Sequence, residues 1–479
     1  MINTERNTYI INKEFDELYE RTILKKYRNE KLNLKHDSIK NNPYAIKSRI
    51  NLTDEIVYTI DPEGCIDADD GFSILKNYQD GKLFLAIHIA DPTHYIIPNS
   101  EYFNKISERV VTNYPSKHEN NHMLDEEVMN LSSLMETTKY GNIKNAITLI
   151  TEIDTINKCL KKNTSQIEFT KISVKKENKL EYSKINLELL DDVKLGVEIS
   201  KNLRRKRITS AKDMSSLEPC DIKYHSWGFT ELKLQDKMEI DIHIMIEEFA
   251  LYMNSFVGDV INLSLGRRGI YRECSDKGKL DENNNLTGND LRDLIIKYGI
   301  VAKYTNKSNP HDLIGVKNYT HFTSPIRRFS DCISHYLVKY IYLKSKNINI
   351  QLPFSDIKLN EMIKKIDKMN SFQKIISFDD KKFRTIQALT NMLSITDSIR
   401  LDIKFLEYGG LFANFKIYNV NFNNIDYPIY ISACYHRKKW DLTFKSSWKQ
   451  EPIKRINISK INLPGRFFEG TFPELDILI

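Results

Sequence analysis

The apolar positions divide the chain into a β-rich first part, a helical middle and a β-rich end. Residues 1–50 are polar and charged, with one helical pattern around Phe15–Arg28, and read as an extension. Ile56-Val57-Tyr58-Thr59-Ile60 is β-branched and aromatic and stops at Asp61-Pro62, as a strand entering a turn does. Phe72–Leu75 predicts a second strand, turning through Asn77–Lys82 into Leu83–Ala90. There Leu83, Leu85, Ile87 and Ile89 alternate at period two. Ala146–Ile153 is a further strand pattern. Glu239–Leu263 carries Ile242, Met245/Ile246, Phe249 and Met253 at helical spacing. Pro325–Lys344 does the same with Cys332/Ile333, Tyr336/Leu337 and Tyr340/Ile341, and Leu359–Ile395 predicts another helix. Beyond it, Leu401–Leu406, Leu411–Val420, Tyr427–Cys434 and Trp440–Lys445 read as short strands around Gly409-Gly410, the pattern of a small barrel.

Composition narrows the class. With 479 residues, 41% of them hydrophobic and 28% charged, the chain can bury a sizeable core. A wholly disordered, collagen-like or disulfide-scaffold protein is excluded. The net charge of +7 permits a polyanionic partner without requiring one. The basic excess concentrates in Lys158–Lys212, with 15 Lys/Arg against 7 Asp/Glu, and reads as a solvated helical face. The six cysteines form no CxxC pair, which argues against structural zinc and for a reducing compartment. No apolar run reaches the ~20 residues of a membrane helix, and the first residues do not resemble a signal peptide. The expectation is an intracellular, cytoplasmic protein.

Two segments carry chemistry. In Asp61-Pro62-Glu63-Gly64-Cys65-Ile66-Asp67-Ala68-Asp69-Asp70-Gly71, four aspartates lie between two apolar strands. Such carboxylates repel one another unless a divalent cation neutralises them. Hard oxygen ligands suit Mg²⁺ or Mn²⁺, which can polarise a phosphodiester and lower the pKa of a bound water. A surplus-Asp turn explains the cluster less fully, and an EF-hand register fails because its first and twelfth positions would be Ile66 and Asn77. The second segment is His321-Phe322-Thr323-Ser324-Pro325-Ile326-Arg327-Arg328-Phe329-Ser330-Asp331. Ser324 as N-cap and Pro325 at the first helical position predict a helix start that favours an anion, with Arg327 and Arg328 as planar donors for phosphate. His118-Glu119-Asn120-Asn121-His122 matches HExxH, but Pro115 and the two central asparagines make a poor helix for zinc.

These residues resemble the ribonuclease II / ribonuclease R (RNB) exoribonuclease family. Asp61, Asp67, Ala68, Asp69 and Asp70 resemble its acid cluster, and Leu85–Thr93 the strand that follows. Thr112-Asn113-Tyr114-Pro115 with Met123-Leu124 and Leu131–Leu134, Ile246–Phe249 with Asn254, and His321–Phe329 with Asp331 and His335 resemble three further blocks in the same order. The resemblance implies an α+β fold. A catalytic domain, with a mixed sheet surrounded by helices and a closed RNA channel, would span 51–395. A C-terminal, OB-like RNA-binding barrel would span 396–479.

It also implies Mg²⁺-dependent hydrolysis of single-stranded RNA from the 3′ end, releasing nucleoside 5′-monophosphates, with Mn²⁺ able to substitute. Asp61, Asp67 and Asp70 would bind metal, and Asp69 would be the acid most selectively needed for chemistry. Arg327 would face the scissile phosphate. Tyr114 would stack on a base, Glu247 would contact the terminal nucleotide, and Thr323, Ser324 and Arg328 would contact the backbone. The resemblance assigns Glu63 no role. The 60 residues before Asp61 are too few for the family's two cold-shock barrels, so a protein partner replacing them is expected. Arg204–Ser216 holds no aromatic residue for the second half of the base clamp. The competing reading is a catalytically silent RNB fold kept as an RNA-binding or interaction module.

Overall fold

A computed structural model describes residues 2–27, 41–208, 220–224, 229–276, 278, 280, 288–409, 412–436, 454–462 and 474–478, apart from single positions at 77, 80, 117, 138, 187 and 189. In chain order the elements begin with helix α1 (Ile2–Thr22), followed by a 3-10 turn at Leu24–Lys26. Strands β1 (Ile50–Leu52), β2 (Thr59–Asp61), β3 (Asp70–Leu75) and β4 (Phe84–Ala90) follow, then helices α2 (Glu101–Arg109) and α3 (Glu126–Ser132). Next come β5 (Ile143–Asp154), β6 (Cys159–Leu160), β7 (Gln166–Ser173), β8 (Lys179–Glu181) and α4 (Asp191–Ile208). The hairpin β9 (Cys220–Tyr224) and β10 (Thr230–Leu234) leads into α5 (Lys237–Leu265), β11 (Tyr271–Glu273), α6 (Gly288–Lys297) and β12 (Lys303–Thr305). Helices α7 (Phe329–Ser345) and α8 (Asp356–Leu393) precede β13 (Ile399–Gly409), β14 (Phe412–Phe422), β15 (Ile425–His436), β16 (Lys454–Asn462) and β17 (Glu474–Leu478).

The centre is a mixed sheet ordered β1-β7-β5-β4-β3, with β6 added to β5. Only its β1–β7 pair is parallel. Strand β4 is buried at every position, which explains its sequence. Leu85, Ile87 and Ile89 join the main core, while Phe84 and Ala86 join a smaller cluster with Leu75 and Ile150. The period-two alternation therefore separates two covered faces and not a wet face from a dry one. His88 is satisfied in that core by Ser73 and Thr148, both at 2.9 Å, and burial holds its pKa down near 3. It is a neutral core histidine.

The β-rich end closes into a five-stranded barrel ordered β13-β14-β15-β17-β16. Phe415 faces its core, while the Tyr418 and Tyr430 hydroxyls both bond to Asp293 of α6. The expected strand at Trp440–Lys445, and the side chains of Phe405 and Phe412, lie outside the described residues. Among the described residues no helix is long and apolar enough to cross a membrane.

Three expectations are corrected. The basic stretch Lys158–Lys212 is not one helical face. It contributes strand β7 to the sheet, pairs β8 with β2 in parallel, and among the described residues its α-helix is α4, the other turns being short 3-10 pieces. The strand expected at Ile56–Ile60 contracts to β2, with Tyr58 pairing to Phe72.

The third correction bears on the site. Helix α7 starts at Phe329 and not at Pro325, with Arg328 at the N-cap position and Ser324 outside the helix. The Ser324 carbonyl accepts from the Arg328 N–H at 2.9 Å, which makes 324–328 a turn. The nearby N–H groups are claimed elsewhere: Ser324 N–H by Asp331 Oδ1 at 2.8 Å, Ile326 N–H by Asp69 Oδ1 at 2.7 Å, and Phe329 N–H by the Val110 carbonyl at 2.8 Å. Carboxylates of the protein thus occupy donors that the sequence reading reserved for a phosphate.

Candidate active site

The acid cluster sits where β2 and β3 meet. Strand β2 ends on Asp61 and β3 begins on Asp70. Gly71 makes that approach possible, since a Cβ there would lie 2.8 Å from the Tyr58 carbonyl oxygen and 3.3 Å from Thr59 Cγ2. Gly71→Ala is therefore expected to push 58–61 away from β3 and part Asp61 from Asp70, at about 1–3 kcal/mol of overpacking. A lowered melting temperature with weakened divalent-cation binding is the expected result, and an unchanged melt contradicts it.

Each aspartate has a distinct environment. Asp69 is 4% exposed and spans two segments, Oδ1 accepting from Ile326 N–H and Oδ2 from Arg327 Nε at 3.1 Å. Burial raises its pKa well above the usual carboxylate range despite Arg327. Asp67 accepts from Tyr114 Oη at 2.7 Å and Cys65 Sγ at 3.5 Å, and lies 3.5 Å from His122 Nδ1. Burial pushes its carboxyl upward, but His122 and Tyr114 outweigh that and leave it below its ordinary value.

The other two carry the unbalanced charge. Asp61 has one oxygen 3.6 Å from Cys65 Sγ and a buried Oδ2 with no hydrogen-bond partner among the described residues. Burial, Asp70 and Asp67 push its pKa up to about 7. Asp70 is raised by burial to about 6, against the opposing pull of Arg327 and Arg328. Among the described residues no group of three Asp, Glu, His or Cys side chains stands ready as a metal cage. The orphaned oxygen of Asp61, the proton-hungry pair Asp61/Asp70 and the hard-oxygen donor set nevertheless fit a divalent cation.

The remaining sequence-predicted residues divide. Arg327 is beside Asp69 with 45% of its side chain exposed, and Tyr114 presents its ring to the open side while its hydroxyl is fixed on Asp67. Thr323 is buried and lines a small cavity with Asp70, Gly71 and Ile246. Ser324 is buried in the turn, and Arg328 pairs with Asp331 at 2.8 Å. Both therefore also have partners within the fold. Glu247 lies on α5 with Oε2 4.0 Å from Arg204 of α4. Asp331 takes Ser324, Arg328 and Ser330, while His335 Nε2 bonds to the Phe322 carbonyl, so those two form no local pair. Glu63 is exposed and pairs with Lys184 at 3.2 Å. Of the HExxH histidines, His118 lies inside a loop closed by an Asn113–Asn121 bridge and His122 directly after it, neither on a helix.

Sequence reasoning missed three groups. Cys65 touches two of the acids, and its burial beside them raises its own pKa. His122 has meaning in the sequence only within HExxH, yet its Nδ1 lies 3.5 Å from Asp67. Tyr182, just beyond β8, stacks on His243 of α5 at 3.8 Å and 10°. Burial raises its pKa first and the carboxylates of Asp70 and Asp61 next, which places an aromatic ring beside the cluster from far along the chain. Only its position near a strand that pairs with β2 could have signalled it.

The RNB domain family model matches residues 49–344, which include all of these groups. The chain belongs to the RNB family. Ribonuclease R of Mycoplasmopsis pulmonis is 24% identical over 385 residues, 71% of this chain and 53% of the relative. The chain thus spans about half the length of that relative. Mycoplasma genitalium RNase R, solved in complex with ribose methylated single-stranded RNA, superposes with a TM-score of 0.66 at 19% identity, covering 93% of this chain and 74% of that one. Yeast Ssd1, described as a pseudonuclease, has a TM-score of 0.59 at 16% identity, covering 85% of this chain and 52% of its own. The two structural likenesses speak for the fold.

Proposed function

We propose that this RNB protein is a hydrolytic 3′-to-5′ exoribonuclease that acts on single-stranded RNA and releases nucleoside 5′-monophosphates. The observation that carries this reading is the meeting of Asp61, Asp67, Asp69 and Asp70 with Arg327 at one partly buried rim, Asp69 joining Arg327 directly at 3.1 Å. Asp61 and Asp70, with Asp67, would hold Mg²⁺, or Mn²⁺ in its place. The cation, when bound, supplies Lewis-acid polarisation and an acidified water.

The protein's own groups do the rest. Asp69 grips Arg327 by Nε, so the terminal nitrogens of the guanidinium are the donors left for a phosphate oxygen, where they stabilise developing charge. Tyr114 offers its ring to a base, and stacking tolerates any sequence because every base has a π-face. Its hydroxyl bond to Asp67 sets the ring's orientation relative to the acids. Glu247, on the same α5 as His243, would meet the terminal nucleotide. We read 51–395 as the catalytic domain and the barrel from 396 as an OB-type RNA-binding unit. The barrel's order of first, second, third, fifth and fourth strand supports that reading. A partner protein supplying additional RNA grip belongs to the same proposal.

Protons and the cation compete for Asp61 and Asp70, whose pKa values are raised to about 7 and about 6. Apparent metal affinity is therefore expected to fall as pH drops through that window, by about tenfold per pH unit for each proton displaced. Mg²⁺ titrations of activity at several pH values check this, and a half-saturating concentration that does not move contradicts it. The function itself is tested by comparing RNA with a free and a blocked 3′ end. Nucleoside 5′-monophosphates released only from the free end support the reading. RNA that is bound but left intact, in the presence of Mg²⁺, favours the silent binding module.

A further inference from the structure

We propose that the N-terminal helix α1 and its 3-10 turn, acting through Asp380, form a strap that positions the Tyr114 loop for RNA without taking part in hydrolysis. This rests on the exoribonuclease reading of the site.

The loop 113–122 is closed on itself, Asn113 and Asn121 exchanging N–H to carbonyl bonds of 3.0 and 2.9 Å. Its inner side is fixed on the active-site acid Asp67 by the Tyr114 hydroxyl, with His122 Nδ1 3.5 Å from the same carboxylate. Its outer side is fixed on α8 and the N-terminal segment. Ser116 N–H donates to Asp380 Oδ2 at 3.0 Å, the Arg384 guanidinium donates to the Ser116 carbonyl at 3.1 Å, and the His118 ring stacks on Tyr19 at 5.4 Å and 6°. The loop therefore hangs between the acids and the strap.

The strap is itself well anchored. Tyr19 and Tyr27 both donate to the same Asp380 Oδ2, at 2.9 and 2.8 Å. Lys26 pairs with Asp379 at 2.8 Å, and the Arg384 guanidinium lies 3.9 Å over the Tyr19 ring. Phe15, Leu18, Tyr19 and Ile23 pack into one core with Phe383, Ile386 and Leu389. Asp380 thus joins three donors, two from the N-terminal segment and one from the loop, in a buried place where an unshared carboxylate would be costly. Packing alone does not account for Tyr19 stacking on an exposed loop histidine. A cavity of about 220 Å³ lies between the parts, and its walls include Tyr27, Tyr114, Ser116, Asp380 and Arg384. The N-terminal segment therefore walls the space on which the base-stacking tyrosine opens.

The test uses the full chain with His118→Ala, His118→Phe and Asp380→Asn. His118 is exposed, so its variants are expected to fold. KM for single-stranded RNA, and Kd measured with EDTA present, are expected to rise about 2- to 10-fold in His118→Ala and Asp380→Asn, with kcat within roughly twofold of wild type. His118→Phe, which keeps a stacking ring, is expected to restore both. Simple loss of folded protein would lower kcat and leave KM in place, and that result overturns the proposal. So do unchanged KM and Kd in both variants, or a His118→Phe variant as impaired as His118→Ala. If wild type leaves RNA intact, the exoribonuclease reading fails instead, and Kd alone decides whether the strap positions the loop.

Discussion

Asp69→Asn is expected to reduce RNA hydrolysis by at least about 10²- to 10³-fold while the chain stays folded. Both Asp69 oxygens accept hydrogen bonds, one from Ile326 N–H at 2.7 Å and one from Arg327 Nε at 3.1 Å. An asparagine has one acceptor oxygen and one amide nitrogen, so it turns a donor toward a donor on one side. Either Arg327 loses its anchor or the 324–328 turn loses its tie to the acid loop. The cost to stability is about 1–3 kcal/mol, because a single buried donor is left unsatisfied. Steady-state turnover together with a thermal melt separates the two effects. A variant that melts near wild type and hydrolyses RNA at wild-type rate would remove Asp69 from the mechanism.

Asp91→Asn is expected to be the most destabilising conservative substitution in the RNB region, at about 3–5 kcal/mol. The Asp91 carboxylate is fully buried, receiving Arg49 at 2.5 Å on one oxygen and Lys339 Nζ at 2.6 Å on the other, with Thr93 at 2.8 Å. Lys339 is itself 0% exposed. Removing the one anion leaves two buried cations facing each other. Against a typical stability of ~5–15 kcal/mol, that is a large share. The pH dependence follows from the same contacts. Burial alone would raise the Asp91 pKa, but Lys339 and Arg49 hold it far below the ordinary 3.8. A depressed carboxylate pKa contributes stability that is fully present above the unfolded value and is lost as pH falls toward the folded one. The gap in melting temperature between wild type and Asp91→Asn should therefore be constant near neutrality and narrow below pH ~4. A gap that stays constant down to pH ~2, or no gap at all, contradicts this assignment.

Much of the architecture was legible because it follows local pattern. Helices α5 and α8 carry their apolar residues at helical spacing, and strands β3, β4 and β5 stand out as apolar runs between turns. The acid cluster was legible as chemistry, since four aspartates between two strands have few structural uses. What was not legible depends on partners far along the chain. Ser324 and Pro325 are good helix-start residues, yet Asp69, more than 250 positions earlier, draws Ile326 N–H away from a helical arrangement. Strand β7 was hidden by Gln166, Glu168 and Lys171 at its exposed and partly exposed positions. Tyr182 and His122 look ordinary in sequence and gain meaning only beside Asp61, Asp70 and Asp67. The helical pattern near Phe15 was visible, but nothing local tells that its Tyr19 reaches the loop that carries Tyr114.

On the proposed reading, the four aspartates and Arg327 form a working hydrolytic site that consumes RNA from its 3′ end. The most direct measurement is a time course on 5′-labelled single-stranded RNA with Mg²⁺, run for wild type, for Asp69→Asn and for wild type with EDTA. A ladder that shortens progressively from the 3′ end is expected with wild type alone, and intact RNA in both controls. Full-length RNA persisting with folded, Mg²⁺-supplied wild type would contradict it, and so would an equal ladder in the Asp69→Asn lane.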